Sequence, residues 1–218
     1  VLFQRLLAIG LDWHNYGKST IGARADLENV DISNLQAFYR KYYQPDNATL
    51  IVAGKVDEAS LINKIEHYFG DIPKPKRVIR ELYTDEPIQD GEKKITIRRS
   101  GDVQMVGAMY KTPAGSAKEA AAVQVLADIL SDPRSGRLHK ALVKNKLAAN
   151  TFGFNIGLEE PGALFFMAQV AKGKDLAPTE AAFIETIENT AKSPITKEEV
   201  ERAKTKLLKN IELSFNNS

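Results

Sequence analysis

The spacing of apolar residues predicts a helix, a strand and a second helix between residues 31 and 69. Apolar side chains three and four positions apart follow Asp31, whose carboxylate suits a helix N-cap, and Pro45 ends this helix. Residues 49–53 form a continuous, partly β-branched apolar run, which predicts a strand covered on both faces. Asp57 then begins a helix, and its apolar stripe contains Leu61, Ile62, Ile65 and Phe69.

The pattern on either side of this region predicts further elements. Residues 1–15 favour the end of a helix that packs on a core, with Gly10 as its cap. After residue 92, Thr196 and Glu199 form a capping box for the last helix. The predicted order before it is strand 94–99, strand 103–110, helix 118–130, a short helix from 137, strands 148–156 and 163–170, and helix 176–192. This order predicts an α+β fold, with helices packed on one face of a mixed, largely antiparallel sheet.

A proline-rich, charged stretch separates the two patterned parts. Segment 71–92 contains three prolines, which favour an extended linker. Its basic residues are Lys74, Lys76, Arg77 and Arg80. We interpret them as a solvated cluster, since no aromatic residues alternate with them as in a nucleic-acid site. We therefore predict a linker at 73–92 between two parts of the chain, 1–72 and 93–218.

Composition narrows the class of protein. The chain has 218 residues, 43% of them apolar and 27% charged, which suffices for one large domain or parts of two. A formal net charge of +2 argues against a polyanionic partner. The sequence has no cysteine, which excludes disulfides and thiolate metal sites, and no apolar run approaches the roughly 18 residues of a membrane helix.

Four ordered stretches from Tyr16 to Asp57 resemble one family. They read Tyr-Gly-x-x-x-Ile-Gly, Asp-Leu-Glu-Asn, Ala-Phe-Tyr-Arg-Lys-Tyr-Tyr-x-Pro-Asp-Asn-Ala and Ile-Val-Ala-Gly-x-Val-Asp. They look like the pitrilysin/insulinase zinc metallopeptidases, which include mitochondrial processing peptidase, and residues 126–147 and 194–213 look like the second domain of that family. The resemblance implies that residues 1–72 are the C-terminal part of a first α/β peptidase domain and that residues 93–218 are most of a second, homologous α/β domain. It also implies that two homologous halves enclose a chamber in which peptides are cut. The implied partners are the remaining domains of the same polypeptide or a homologous subunit, and a peptide substrate.

The zinc motif of that family is not present in this sequence. The resemblance implies two histidines around a glutamate, H-x-x-E-H, whose zinc acidifies a water molecule. The three histidines here, His14, His67 and His139, lack that spacing, so we assign no metal ligand and no cofactor to this chain and expect zinc in the full-length protein. Either the motif lies in preceding chain or the protein is an inactive half or paralogue. We expect a piece of a longer peptidase.

A second departure concerns the groups that bind substrate. The resemblance implies an arginine and a tyrosine near residues 142–150, and the matching positions here are Val143 and Ala149. We therefore predict no catalytic residue, and leave Arg134 and Arg137 as candidates for substrate binding. Serine, cysteine and nucleotide chemistry are not favoured, because the sequence has no cysteine, no Gly-x-Ser-x-Gly and no phosphate loop.

The predicted function is thus the non-catalytic part of a zinc-dependent endopeptidase, forming scaffold and chamber wall. The alternative is an inactive family half or subunit with a structural or partner-binding role. The same fold would serve both, so the zinc content and peptidase activity of the longer protein decide between them.

Overall fold

The structure is a computed structural model that describes residues 1–80 and 83–216, and its contacts group the chain into two units. Unit 1 contains Val1–Lys18 and Glu86–Ser218, and unit 2 contains Ser19–Asp85. Positions 81–82 of the predicted linker and positions 217–218 of the predicted second domain lie outside the described residues. The predicted domain boundaries stay a prediction, because contact grouping does not test homology between domains.

Unit 2 contains three helices whose ends follow the predicted chemistry. They are α2 (Arg24–Asn29), α3 (Ile32–Tyr42) and α4 (Glu58–Phe69). The Asp31 carboxylate accepts a hydrogen bond from the Ser33 N–H at 2.7 Å, and the Asp57 carboxylate accepts one from the Ser60 N–H at 3.1 Å. Both predicted N-caps are therefore confirmed.

The predicted strand at 49–53 is wrong. These residues belong to neither helix nor strand, and Ile51 is 81% exposed. A strand needs a neighbour to receive its backbone hydrogen bonds, and no described residue of unit 2 forms a strand beside it. The apolar residues of 49–53 therefore favour burial, but they remain exposed in unit 2.

The basic cluster of the predicted linker is exposed in part and paired in part. Arg77 forms a two-point ion pair with Asp46, with both N–O distances at 2.9 Å. This pair attaches the segment after α4 to the turn that follows α3. The described residues of the linker form no helix or strand, in agreement with their proline content.

Unit 1 is built around a three-stranded antiparallel sheet. Its strands are β1 (Met105–Ala114), β2 (Ala148–Ile156) and β3 (Pro161–Val170), in the order β1-β3-β2. The predicted hairpin of β2 and β3 is confirmed, with Phe152 opposite Met167 and Phe154 opposite Phe165. Its helices are α1 (Leu2–Gly10), α5 (Ala120–Ser131), α6 (Leu176–Glu188) and α7 (Lys197–Asn216). The α+β class is confirmed.

The predicted hairpin of 94–99 with 103–110 is wrong. Residues 94–99 form no strand, and β1 pairs with β3 instead, with Met105 opposite Gln169 and Tyr110 opposite Leu164. The segment is held by its lysines, since Lys93 binds Asp12 at 2.6 Å and Lys94 binds Glu180. Alternating polarity favours a strand where one face meets a core, whereas Ile95 remains 40% exposed.

Strand β3 supplies both cores of unit 1 because successive side chains point to opposite faces. On one face Leu164, Phe166 and Ala168 join the larger cluster with residues of α5 and α6, including Leu130 and Phe183. The predicted layer of helices on one face is formed by these two helices. On the other face Ala163, Phe165 and Met167 pack with Leu6 of α1, so that β3 is covered on both sides.

Gly10 is needed for packing rather than for capping. It is the last residue of α1, and the C-cap is Leu11 in an extended conformation. A Cβ atom at Gly10 would lie 2.1 Å from the Cε atom of Met109 on β1. The missing side chain thus permits close approach between α1 and the sheet.

The loop after α1 is held by one carboxylate. Glu86 accepts hydrogen bonds from the backbone N–H groups of Asp12, Trp13 and His14 at 2.8–3.0 Å, and from Lys111 at 2.9 Å. Burial, the largest influence, raises the pKa of Glu86, but the bonds from Lys111 and the three N–H groups together lower the pKa to about 2. The charged form is therefore the one that the fold stabilises.

We expect stability of unit 1 to fall in acid through Glu86. Its pKa is lowered from 4.5 to about 2 on folding, so the stabilisation is present above about pH 5 and is lost as the pH falls towards 2. Glu86→Gln should remove on the order of 2 kcal/mol of unfolding free energy at pH 7 and less at pH 2.5. Urea unfolding of both proteins across this range measures the difference. Glu159→Gln, at an exposed carboxylate, is the control, and an equal effect at both pH values would contradict the expectation.

A second expectation concerns Gly153 on β2. A Cβ atom there would lie 2.5 Å from Cδ1 of Phe166 and 2.8 Å from the carbonyl oxygen of Phe165. Gly153→Ala should therefore overpack the core and lower the unfolding free energy by about 1–3 kcal/mol in urea denaturation. Gly91→Ala is the matched control, since a Cβ atom at Gly91 meets nothing within 4 Å. Similar stability of the two variants would show that the sheet relaxes around the added methyl group.

Candidate functional site

The region between a short π-helix and β2 contains Val143 and Ala149, the positions that match the substrate-binding arginine and tyrosine of the resembled family. The π-helical segment is His139–Val143, and β2 begins at Ala148. Val143 is half-buried against the larger core, and Ala149 is exposed. In the β2–β3 ladder Ala148 lies opposite Val170 and Asn150 opposite Gln169, so Ala149 is the extra residue of a bulge. Neither side chain can donate a hydrogen bond to a substrate.

A tight turn connects the π-helical segment to the strand. Lys146 has a φ of 58°, in the left-handed region that non-glycine residues seldom occupy. The Leu147 N–H donates to the Leu142 carbonyl at 2.9 Å, and the Asn145 side chain donates to the Ala141 carbonyl at 2.9 Å. These bonds satisfy carbonyls at the helix end and direct the chain into β2.

Before the π-helical segment, Asp132 organises the turn that contains Arg134. Its carboxylate accepts from the Arg134 N–H at 3.0 Å, from the Ser135 N–H at 2.7 Å, and from Lys206 of α7 at 2.6 Å. Burial is the largest single influence and raises the pKa of Asp132. The hydrogen bonds from Lys206, Ser135 and Arg134 together outweigh burial and hold the pKa well below its usual range. The charge of Asp132 is thus used to join this turn to α7.

Arg137 lies in a second contact with α7. Its Nε and Nη2 atoms donate to the Glu199 carboxylate at 2.9 and 2.8 Å, and further N–H groups donate to the carbonyls of Ser193 and Pro194 at 2.9 and 3.0 Å. Glu199 also accepts from the Thr196 N–H at 2.9 Å, which confirms the predicted capping box. The bonds from Arg137, which outweigh the effect of burial, and those from Thr196 lower the pKa of Glu199 to about 2.

The two candidate arginines therefore lie in different surroundings. The guanidinium of Arg137 is largely committed to Glu199 and to two carbonyls, whereas Arg134 is exposed. An open cleft of about 640 Å³ lies beside Arg137, and Lys140, Asn189 and Arg202 contribute to its lining. Its polar groups can bind polar ligands, and the Thr196 hydroxyl that lines it donates to the Glu199 carboxylate at 3.3 Å as part of the capping box. A substrate-binding role for either arginine stays a prediction.

The three histidines lie in different structural elements. His14 is buried, and its Nδ1 atom accepts from the Tyr16 N–H at 3.2 Å. His67 is exposed in the last turn of α4, and His139 is half-buried at the start of the π-helical segment. Across residues 1–80 and 83–216, no three histidine, cysteine or acidic side chains are grouped as a metal would require. The same described residues contain no helix with the length and hydropathy for crossing a bilayer.

Fold and site together define an α+β domain that presents no complete metal-ligand set within its described residues. Residues 29–207 match the family described as the peptidase M16 inactive domain. The chain therefore belongs to this family, and the predicted pitrilysin/insulinase relationship is confirmed.

Relatives and solved structures agree with this assignment. The chain is 26% identical over 207 residues to zinc protease PqqE of Helicobacter pylori, covering 94% of this chain and 47% of PqqE. The crystal structure of a protease from Helicobacter pylori superposes with a TM-score of 0.88 at 25% identity, covering 98% of this chain and 52% of that one. A chain of Complex III2 from Candida albicans shares the fold, with a TM-score of 0.80 at 14% identity and coverage of 96% and 51%. The chain thus spans about half the length of these proteins.

We expect the Arg137–Glu199 pair to stabilise unit 1. Arg137→Ala leaves the largely buried Glu199 carboxylate without its main partner, which should lower the unfolding free energy by about 2–4 kcal/mol. Arg137→Lys should recover only part of this loss, because an ammonium group cannot make the two-point contact. Urea unfolding followed by circular dichroism measures both.

Arg134→Ala is the control for this expectation. Because the Arg134 side chain is exposed, its removal should change the unfolding free energy by less than about 0.5 kcal/mol. Equal losses for Arg134→Ala and Arg137→Ala would show that general charge, rather than the pair with Glu199, stabilises the unit.

Proposed function

We propose that this chain is the non-catalytic portion of a zinc-dependent endopeptidase and forms scaffold and chamber wall for a peptide substrate. The observation that carries the proposal is the match of residues 29–207 to the peptidase M16 inactive domain. The relative PqqE is named a zinc protease, and this chain covers about half of its length. The reactive centre is then supplied by the remaining domains of the same polypeptide or by a homologous subunit.

The surface at the start of β2 supports a passive role. A wall that positions a peptide must exclude water and resist deformation, whereas a catalytic surface must place donors at the developing oxyanion. Val143 and Ala149 present hydrocarbon at the two positions in question, and Arg137 and Asp132 contact Glu199 and Lys206 of α7.

Residues 1–80 and 83–216 bring together no group of side chains that could hold zinc. A catalytic zinc site needs three protein ligands within about 2.0–2.3 Å of one point, and the three histidines lie in separate elements. The zinc is therefore expected in the longer protein.

A structural or partner-binding role is the second candidate. The fold of this chain recurs in a chain of Complex III2 from Candida albicans, and that likeness concerns the fold alone. The hydrocarbon at Val143 and Ala149 is compatible with this role as well. Under this candidate the longer protein would hold no catalytic zinc.

Metal analysis combined with a peptidase assay separates the two candidates. The longer polypeptide should contain about one zinc per molecule and cleave fluorogenic peptides, with activity lost to a chelator and regained with zinc. This chain alone should show neither property. A longer polypeptide without zinc and without cleavage would establish the second candidate, and tightly bound zinc on this chain alone would overturn the assignment of its histidines.

A further inference from the structure

The fold brings the basic cluster of the predicted linker against the C-terminal half of α3. An open groove of about 600 Å³ lies between α3 and segment 75–78, and both of its walls belong to unit 2. Arg40 and Lys41 line the groove from α3, and Lys76 and Arg77 line it from the linker. These two basic pairs are far apart in the sequence, so the groove forms a wider basic face than the linker has by itself.

Most of this positive charge is available to a ligand. Arg77 is half-buried and forms the two-point ion pair with Asp46. Arg40, Lys41 and Lys76 are exposed, and within residues 1–80 and 83–216 none of the three forms an ion pair. Cations on two facing walls repel each other, and an anion between them relieves this repulsion. The groove therefore favours a ligand with negative charge.

The dimensions of the groove fit a short extended peptide. The wall formed by α3 runs from Ala37 to Gln44, just past the end of the helix, which is about 10 Å at a rise of about 1.5 Å per residue. An extended chain advances about 3.3 Å per residue, so about three residues span this length. Ala37, Pro75 and Val78 add hydrocarbon to the lining, against which the methylene groups of a glutamate side chain can pack.

We propose that this groove binds a peptide segment with acidic side chains, whose carboxylates contact Arg40 and Lys41 on one wall and Lys76 on the other. The ion pair of Arg77 with Asp46 fixes the spacing of the walls, since Asp46 lies in the turn that follows α3. The proposal concerns a binding surface of this chain and does not depend on the proposed function.

Other polyanions fit the groove less well. Single-stranded nucleic acids are bound through aromatic side chains on which the bases stack, and none of the described lining residues is aromatic. The headgroups of a bilayer form a broad surface, which suits a flat or convex basic patch rather than cations on two facing walls. A peptide is narrow enough to contact both walls at once.

Fluorescence anisotropy with labelled peptides tests the proposal. The probe is a peptide of repeating Glu-Ala units, and the control probe has Gln in place of each Glu. This chain should bind the Glu peptide about tenfold or more tightly than the Gln peptide, because the two probes differ only in charge. Raising the salt from about 0.1 M to about 1 M shortens the Debye length from about 10 Å to about 3 Å, and should weaken this binding by about tenfold.

Two double variants locate the binding. Arg40→Glu combined with Lys76→Glu should lower the affinity for the Glu peptide by about tenfold or more, because attraction becomes repulsion on both walls. Lys172→Glu combined with Lys209→Glu is the matched control, since it makes the same change in net charge at exposed positions of unit 1. The control should change the affinity by less than about twofold. Circular dichroism should show the parent's helix content in both.

Equal binding of the Glu and Gln peptides, or equal losses in the two double variants, would overturn the proposal. Binding of phosphatidylglycerol vesicles or of oligothymidylate that requires Arg40 and Lys76, without binding of the Glu peptide, would also overturn it and would assign the groove to that other partner. These measurements require neither zinc nor cleavage, so their result is independent of the peptidase assay.

Discussion

The burial of β3 on both faces and both edges is the constraint on which unit 1 depends. Its side chains alternate between two cores, and β1 and β2 receive all of its ladder hydrogen bonds. Phe165 and Phe166 are fully buried on opposite faces, so neither core can shift without moving the other. Charged pairs in turn hold α7 on unit 1, namely Arg137 with Glu199 and Lys206 with Asp132.

The sequence predicted those features whose causes lie within a few residues. The caps at Asp31 and Asp57, the Thr196–Glu199 capping box and the β2–β3 hairpin each depend on local chemistry, and each is confirmed. The strands predicted at 49–53 and 94–99 are wrong for one shared reason. A strand forms only where neighbouring strands accept its backbone hydrogen bonds. A hydrophobic pattern indicates that a segment favours burial, but it does not identify the residues that would cover it.

The candidate site shows the same limit at the level of single side chains. The resemblance directed attention to Val143, Ala149, Arg134 and Arg137, but the partner of Arg137 lies 62 positions away in α7. No periodicity connects two such residues. The sequence did contain the capping box. Its glutamate, Glu199, is a carboxylate with which a nearby arginine can form charge-assisted hydrogen bonds.

The anchoring of the loop after α1 by Glu86 has a consequence for the order in which this chain folds. Unit 1 is discontinuous, since unit 2 lies between its two segments in the sequence. On the ribosome, α1 therefore emerges long before the β3 residues against which Leu6 packs, and before the carboxylate that holds the following loop. The native contacts of α1 with the sheet therefore form only after most of unit 1 has been synthesised.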